Sequence, residues 1–366
     1  MNSDFSGKDL TPRQRGYRWP AEWELHAGTW IAWPHNEQTW PGEFAHIPAI
    51  FQQLVATLLR WEPVHLLASE STIAGQAKEQ LQPLASSANH PLHWHDIGTN
   101  DAWIRDFGPT FVVRNSSPEG PNLLAGIDWP YNAWGGKYPP YDLDQQASKR
   151  ILSDLEVDQF CPTMVLEGGS IEGNGAGTVI TTESCLLNAN RNPRWTRSMA
   201  EQVLQDYLSA EQFIWLSGKG LEGDDTDGHI DQLVRFVDSS TVVAATCDDP
   251  SDPCYQPLRE NLALLEQSAP IAGQALEVIP LPLPQPVEHE GQRLPASYCN
   301  FYIANGGIIV PQFDDPHDQL AREILQTCFP AREVVGLPAS KLVWGLGTVH
   351  CLTQQQPAIH PSDGSL

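Results

Sequence analysis

A helix-like stretch followed by a short β-like run recurs five times along this chain, and each recurrence ends in a polar, glycine-bordered stretch. Apolar residues three and four apart mark helices over 47–61, 142–155, 193–208, 255–269 and 315–329. In the first, Ile50, Leu54, Leu58 and Trp61 share a face, and Asp142 is placed to cap the second. The β-like runs are 63–69, 163–169, 212–218, 275–281 and 332–338. Residues 229–247 and 298–313 read as hairpins, the latter with a Gly306-Gly307 turn. The polar stretches recur at one phase of the unit. Asp106 to Glu167 is 61 residues, Glu167 to His229 is 62, His229 to Asn300 is 71 and Asn300 to Cys351 is 51. That spacing is longer than a solenoid repeat but still implies a repeated α/β architecture. If the units circle a common axis, their strand ends converge, and Asp106, Glu167, His229 and Cys351 meet in one central pocket.

The 31 prolines are spread along the chain and no low-complexity segment interrupts residues 15–355. The expectation is one catalytic domain over 1–366, with flexible ends at 1–12 and 356–366. The formal net charge of -24 opposes nucleic acid and anionic membrane, which need a basic face, and suits a small cationic substrate. The first residues, MNSDFSGKDL, lack the apolar core of a signal peptide, and no run approaches the ~18 apolar residues of a membrane span. Seven cysteines with no CxxC pair fit neither a disulfide framework nor a zinc ribbon. A cytoplasmic protein with reduced thiols is expected.

Cys351 sits in GLGTVHCLTQQQP, where an apolar run ends, and this glycine-rich, polar setting suits a nucleophile better than a core cysteine. A cysteine and a histidine together provide attack and proton transfer. Three or four carboxylates beside them would oppose an oxyanion, but they suit a substrate that is cationic at the reacting carbon. A guanidinium is such a group: planar, with N–H donors matched to paired carboxylates. His229 and Asp231, two apart on an expected strand, would face the same way. Arg105 and Asp106 lie between apolar residues in AWIRDFGPTFVV, which argues for burial.

The blocks RWPAEWELHAGTWIAWP, NDAWIRDFGPTFV, GIDWPYNAWGGKYPPYDLD, EGGSIEGNG, TTESCLLNANRNP, DTDGHIDQ, SYCNFYIANGGIIVPQFDDPHD and HCLTQQQP run nearly end to end. In them the chain resembles the agmatine deiminases, a family of the guanidino-group-modifying superfamily that also includes bacterial-type peptidylarginine deiminases. The resemblance implies a five-bladed, pseudo-fivefold α/β-propeller of repeated ββαβ-type units, no metal, no organic cofactor and at least a homodimer. It implies conversion of agmatine and water to N-carbamoylputrescine and ammonia, a step of polyamine biosynthesis, through a covalent amidino-cysteine. By the same resemblance Cys351 is the nucleophile and His229 the general acid and base. Glu167 orients His229, and Asp106 and Asp231 grip the guanidinium. Asp225 meets the far amine and Trp103 lines the pocket.

Two loops depart from the family pattern. Glu172-Gly173-Asn174-Gly175 replaces a His and an Asp-Gly, and Leu346 and Thr348 stand where glycines and an Asn are usual. The alternatives are a peptidylarginine or free-arginine deiminase, a metal-dependent amidohydrolase on His229, Asp231 and His350, and an inactive guanidino-compound binding protein. A free arginine would need a basic residue for its carboxylate, and the pocket motifs show none beyond Arg105, which favours agmatine.

Overall fold

Parallel strands cannot be joined by a tight turn, so each expected helix serves as a crossover between two of them. The computed structural model describes residues 10–69, 71–114 and 123–359. Among these, five sheets repeat one local plan: an antiparallel pair, then a helix returning the chain to a parallel third strand. The second sheet joins Thr110–Arg114, Leu123–Ile127 and Asp158–Phe160, with the helix Asp144–Asp154 between the last two. The third joins Ile171–Gly173, Thr178–Thr182 and Gln212–Leu216 across the helix Arg197–Leu208. The fourth joins Val234–Phe236, Thr241–Thr246 and Glu277–Pro282 across Tyr255–Glu266. The fifth joins Tyr302–Ile303, Gly307–Gln312 and Glu333–Pro338 across His317–Cys328.

The first sheet is assembled from both ends of the chain. Strand Gln354–Pro357 pairs antiparallel with His26–Ala32, in the register Trp30↔Gln354 and His26↔Pro357. Val64–Leu67 and Leu92–His95 then add in parallel. Residues 356–357 of the expected flexible end thus belong to a strand, while 1–9 and 360–366 lie outside the described residues. The helices bury the faces that their periodicity marks; Ile50, Leu54 and Leu58 of Ile47–Leu58 are buried, together with Phe51 and Val55.

The departures from expectation have local causes. Residues 163–169 form no strand; the parallel strand of that unit is Asp158–Phe160. The Val165 N–H donates to Asn192 Oδ1 (3.0 Å) and the Leu166 N–H to the Pro130 carbonyl (3.3 Å), so loop groups satisfy this backbone in place of a ladder. Asp142 caps nothing. The helix starts at Asp144, whose carboxylate accepts the Asn100 and Asp101 N–H groups at 2.7 and 3.3 Å. Thr196 supplies a side-chain cap for Arg197–Leu208. A further helix, Ser71–Ala85, escapes the periodicity because Ala77 and Leu81 are its buried apolar anchors in a mostly polar stretch. No described helix is long and apolar enough to cross a membrane.

Candidate active site

The site is built from segments that leave or enter the sheets, where the backbone is not committed to ladders. Asp106 lies in a one-turn helix, Ile104–Phe107, just before the second sheet. Glu167 precedes a 3-10 turn, Gly168–Ser170, that leads into the third. His229 precedes another, Ile230–Gln232, leading into the fourth, so His229 and Asp231 flank a turn and do not lie on a strand as expected. Asn300 precedes the fifth sheet, and Cys351 lies three residues before the strand that closes the first.

Asp106, Glu167, His229, Asp231 and Cys351 are all buried and converge. His229 lies between two carboxylates, Nδ1 at 3.6 Å from Asp106 and Nε2 at 3.7 Å from Glu167. Neither ring nitrogen has a hydrogen-bond partner. Gly169 shows how tight the convergence is. A Cβ there would stand 2.7 Å from His229 Nδ1, 2.8 Å from Asp106 Oδ1 and 3.0 Å from Asp231 Oδ2. The Gly169 N–H instead donates to Asp106 Oδ1 (3.0 Å), and Trp134 Nε1 donates to Oδ2 (2.9 Å). The Arg191 Nε donates to Glu167 Oε1 (2.8 Å), turning Oε2 toward the histidine.

The thiol of Cys351 lies 3.6 Å from Asp231 Oδ2 and 3.2 Å from Asn300 Nδ2. Thr348, in the altered loop, donates its hydroxyl to Asn300 Oδ1 (2.8 Å) and so fixes that amide. Gly347 lies over the sulfur: a Cβ there would be 3.2 Å from Sγ and 2.7 Å from the Trp103 ring. Trp103 is buried against Trp40, ring centres 5.4 Å apart, and forms the wall behind that loop.

Beneath Asp231 lies a network that sequence reasoning missed. Asp231 Oδ2 meets His350 Nδ1 at 2.8 Å, and His350 Nε2 meets Glu22 at 2.8 Å. Glu22 also accepts the Ile303 N–H (2.8 Å) and pairs with Arg235 (2.9 Å) and Arg105 (3.4 Å). Arg105 therefore does not pair with its neighbour Asp106, and His350 is committed to carboxylates on both sides. The altered-loop Glu172 joins the same network, accepting from Arg235 Nε (3.0 Å) and the Phe236 N–H (2.8 Å). Glu22 sits in a quoted block, but 328 residues separate it from His350 and no spacing links them. Arg191 lies in the NANRNP motif, which was visible but carried no role.

Electrostatics follow from burial opposed by partners. Burial pushes the Asp106 carboxyl up, to about 6, against the pull of His229. Burial would lower His229, but Asp106, then Cys185 and Glu167, hold the imidazole well above its ordinary value. Burial, then Asp231 and Asp106, push the Cys351 thiol well above the ordinary range. Glu22 pays the cost of burial yet lies well below the usual carboxylate range, held there by Arg235, His350 and Arg105. These directions favour an imidazolium at His229 and a neutral thiol at Cys351, set among carboxylates.

Asp225 is half-buried in the loop before His229, accepts the Tyr138 hydroxyl, and is pushed up by burial. Lys137 reaches its backbone carbonyl and pairs with Asp227 (2.9 Å). A basic residue does stand at this end of the site, contrary to expectation, but its charge is engaged by Asp227.

The Porphyromonas-type peptidyl-arginine deiminase family matches residues 18–357. Agmatine deiminase of Pseudomonas aeruginosa (strain LESB58) is 41% identical, covering 97% of this chain and 99% of that protein. Agmatine deiminase of Medicago truncatula is also 41% identical, over 95% and 98%. The solved structure of the Enterococcus faecalis agmatine deiminase is 32% identical and superposes with a TM-score of 0.86, covering 95% of this chain and 98% of that one.

Proposed function

The chain belongs to the Porphyromonas-type peptidyl-arginine deiminase family, and within it we propose that this protein is an agmatine deiminase, a hydrolase releasing ammonia from the guanidinium through a cysteine adduct. The observation that carries the reading is the set of unsatisfied buried groups between Asp106, Glu167, His229 and Asp231. Both His229 nitrogens and Asp231 Oδ1 lack partners, and buried polar groups left open in a folded protein need an explanation. A guanidinium supplies N–H donors to Asp231 Oδ1 and the neighbouring carboxylates and places its carbon beside Cys351, while the open His229 N–H groups, which a donor-only guanidinium cannot satisfy, are left for the departing nitrogen.

Its charge also offsets the carboxylates that hold the thiol neutral, so arrival of substrate favours the thiolate, the thiol proton passing to solvent because His229 is already protonated. The sulfur attacks the central carbon. The His229 imidazolium, held protonated by its carboxylates, gives its proton to the departing nitrogen, which leaves as ammonia. The now neutral His229 takes a proton from water, whose oxygen attacks the amidino carbon. The C–S bond breaks, releasing the ureido product and restoring the thiol. Glu167 orients His229, Asp106 and Asp231 hold the guanidinium, Asp225 meets the distal ammonium, and Trp103 forms the wall. The five sheets of one plan support five blades about a pseudo-fivefold axis, closed by the strand at Gln354–Pro357.

The choice of agmatine rests on Asp225 and on the relatives' activity. The test is to incubate the protein with agmatine, free arginine and a blocked arginyl peptide, quantifying ureido product and ammonia. Agmatine is expected to turn over fastest; preference for the peptide or for arginine would overturn the assignment.

A further inference from the structure

A second cysteine, Cys185, lies behind His229 and has no part in the reaction above. It is fully buried at the end of a short helix, Glu183–Leu186. Its sulfur is 3.8 Å from Glu167 Oε2, and the same oxygen is 3.7 Å from His229 Nε2. The three ligand atoms lie within 4.8 Å of one another, the one such His/Cys/Asp/Glu cluster among the described residues. His229 adds an independent observation: it is almost wholly buried and neither ring nitrogen has a hydrogen-bond partner.

We infer that Glu167, Cys185 and His229 form an inhibitory site for a thiophilic divalent cation of the zinc class. Zinc bonds of about 2.3 Å to sulfur and about 2.0–2.1 Å to nitrogen and oxygen, at tetrahedral angles, separate O from S by about 3.6 Å and O from N by about 3.4 Å. The two separations at Glu167 Oε2 exceed these by only a few tenths of an ångström, and the third, from the Cys185 sulfur to the His229 ring nitrogen, lies within 4.8 Å and closes by rotation of the two side chains. Arg191 acts as an outer partner: by binding Glu167 Oε1 it leaves Oε2 for the ion. Three protein ligands leave a fourth position for water. Coordination displaces the thiol proton of Cys185 and the Nε2 proton of His229, both released to solvent. The ion therefore removes the proton donor and its orienting carboxylate at once. This inhibition rests on the proposed role of His229; the binding does not.

Cobalt(II) separates the two claims, because a thiolate–cobalt bond gives a charge-transfer absorption independent of turnover. In the Cys351→Ala protein, which lacks the reacting thiol, one equivalent of cobalt is expected to give that absorption, and zinc to displace it. In the Cys185→Ser protein the absorption is expected to vanish. In the folded double variant Cys351→Ala/His229→Ala, cobalt affinity is expected to fall at least tenfold, a readout that stands even if Cys185→Ser fails to fold. With native protein and agmatine, zinc is expected to inhibit and a chelator to restore turnover, with Cys185→Ala raising the inhibitory concentration at least tenfold. Absorption that persists in Cys185→Ser, no absorption in Cys351→Ala, or undiminished affinity in the double variant would each overturn the site.

Discussion

The two sides of the site contrast in how their buried polar atoms are satisfied. Below Asp231, Glu22, His350, Arg105, Arg235 and Glu172 form ion pairs and hydrogen bonds to one another and to backbone groups. Around His229, which stands at ion-pair distance from Asp106 and Glu167, the ring nitrogens and Asp231 Oδ1 have no hydrogen-bond partner, whereas Arg235 Nη2, the atom of the lower network that likewise has none, lies 2.9 Å from Glu22. Asp231 belongs to both sides, its Oδ2 held by His350 and Asn300 and its Oδ1 open. The difference separates structure from function. A closed network of buried charges is costly to break and holds loops from distant parts of the chain in register. Open buried groups are costly to keep and are retained where a ligand completes them.

Removing the groups proposed to react, on the open side, tests this most severely. Cys351→Ala should lower kcat for agmatine by about 10³-fold or more, the scale on which loss of a nucleophile acts. The side chain is small, so the fold should persist by circular dichroism. His229→Gln should lose turnover similarly, with less stability lost than for the closed-side change that follows. A near-native rate in either would move the chemistry elsewhere.

On the closed side the expected loss is in stability. Glu22→Gln removes the one buried carboxylate shared by Arg235, His350 and Arg105, leaving Arg235 only Glu172 and His350 only Asp231, and should destabilise the fold by about 3–5 kcal/mol, read from denaturant midpoints. An unchanged midpoint would mean that the network is not what holds these loops.

Asp225→Asn should lower kcat/KM for agmatine by about ten- to a hundredfold, since a charge-assisted hydrogen bond contributes roughly 1.5–3 kcal/mol. Any weak arginine activity should hardly change. Equal losses on both substrates would assign Asp225 to holding the loop with Tyr138.

The smallest effect concerns pH. Burial pushes Glu172 up, from 4.5 to about 7, against Arg235. Between those values the folded state keeps a proton that the unfolded state has lost, so this group's contribution falls as pH rises through that window. Glu172→Gln should flatten the pH dependence of the unfolding free energy between about pH 5 and 7 by about 1–3 kcal/mol. Identical pH profiles for the two proteins would remove Glu172 as a titrating member of the network.

The outer parts of the units were legible because helix periodicity and buried strands obey local rules. Ile50, Leu54 and Leu58 share a face whatever surrounds them. The phase of the polar stretches also brought Asp106, Glu167, His229 and Cys351 to notice, because strand ends recur with the units. Local rules failed where side chains from distant loops decide the backbone. Residues 163–169 look like a strand, yet Asn192 and Pro130 take their hydrogen bonds. Glu22 and Cys185 remained hidden because their partners lie far away in sequence or carry no spacing signal. Lys137 was in view within its motif, but only the fold sets it beside Asp225.

The central claim is that Cys351 attacks a guanidinium held by the open groups around His229. Mass spectrometry of the protein, acid-quenched during turnover of agmatine, tests it most directly. The account predicts a single adduct with the mass of agmatine less one ammonia, on the peptide carrying Cys351 and absent from Cys351→Ala. An adduct on another residue, or one that survives in Cys351→Ala, would contradict it.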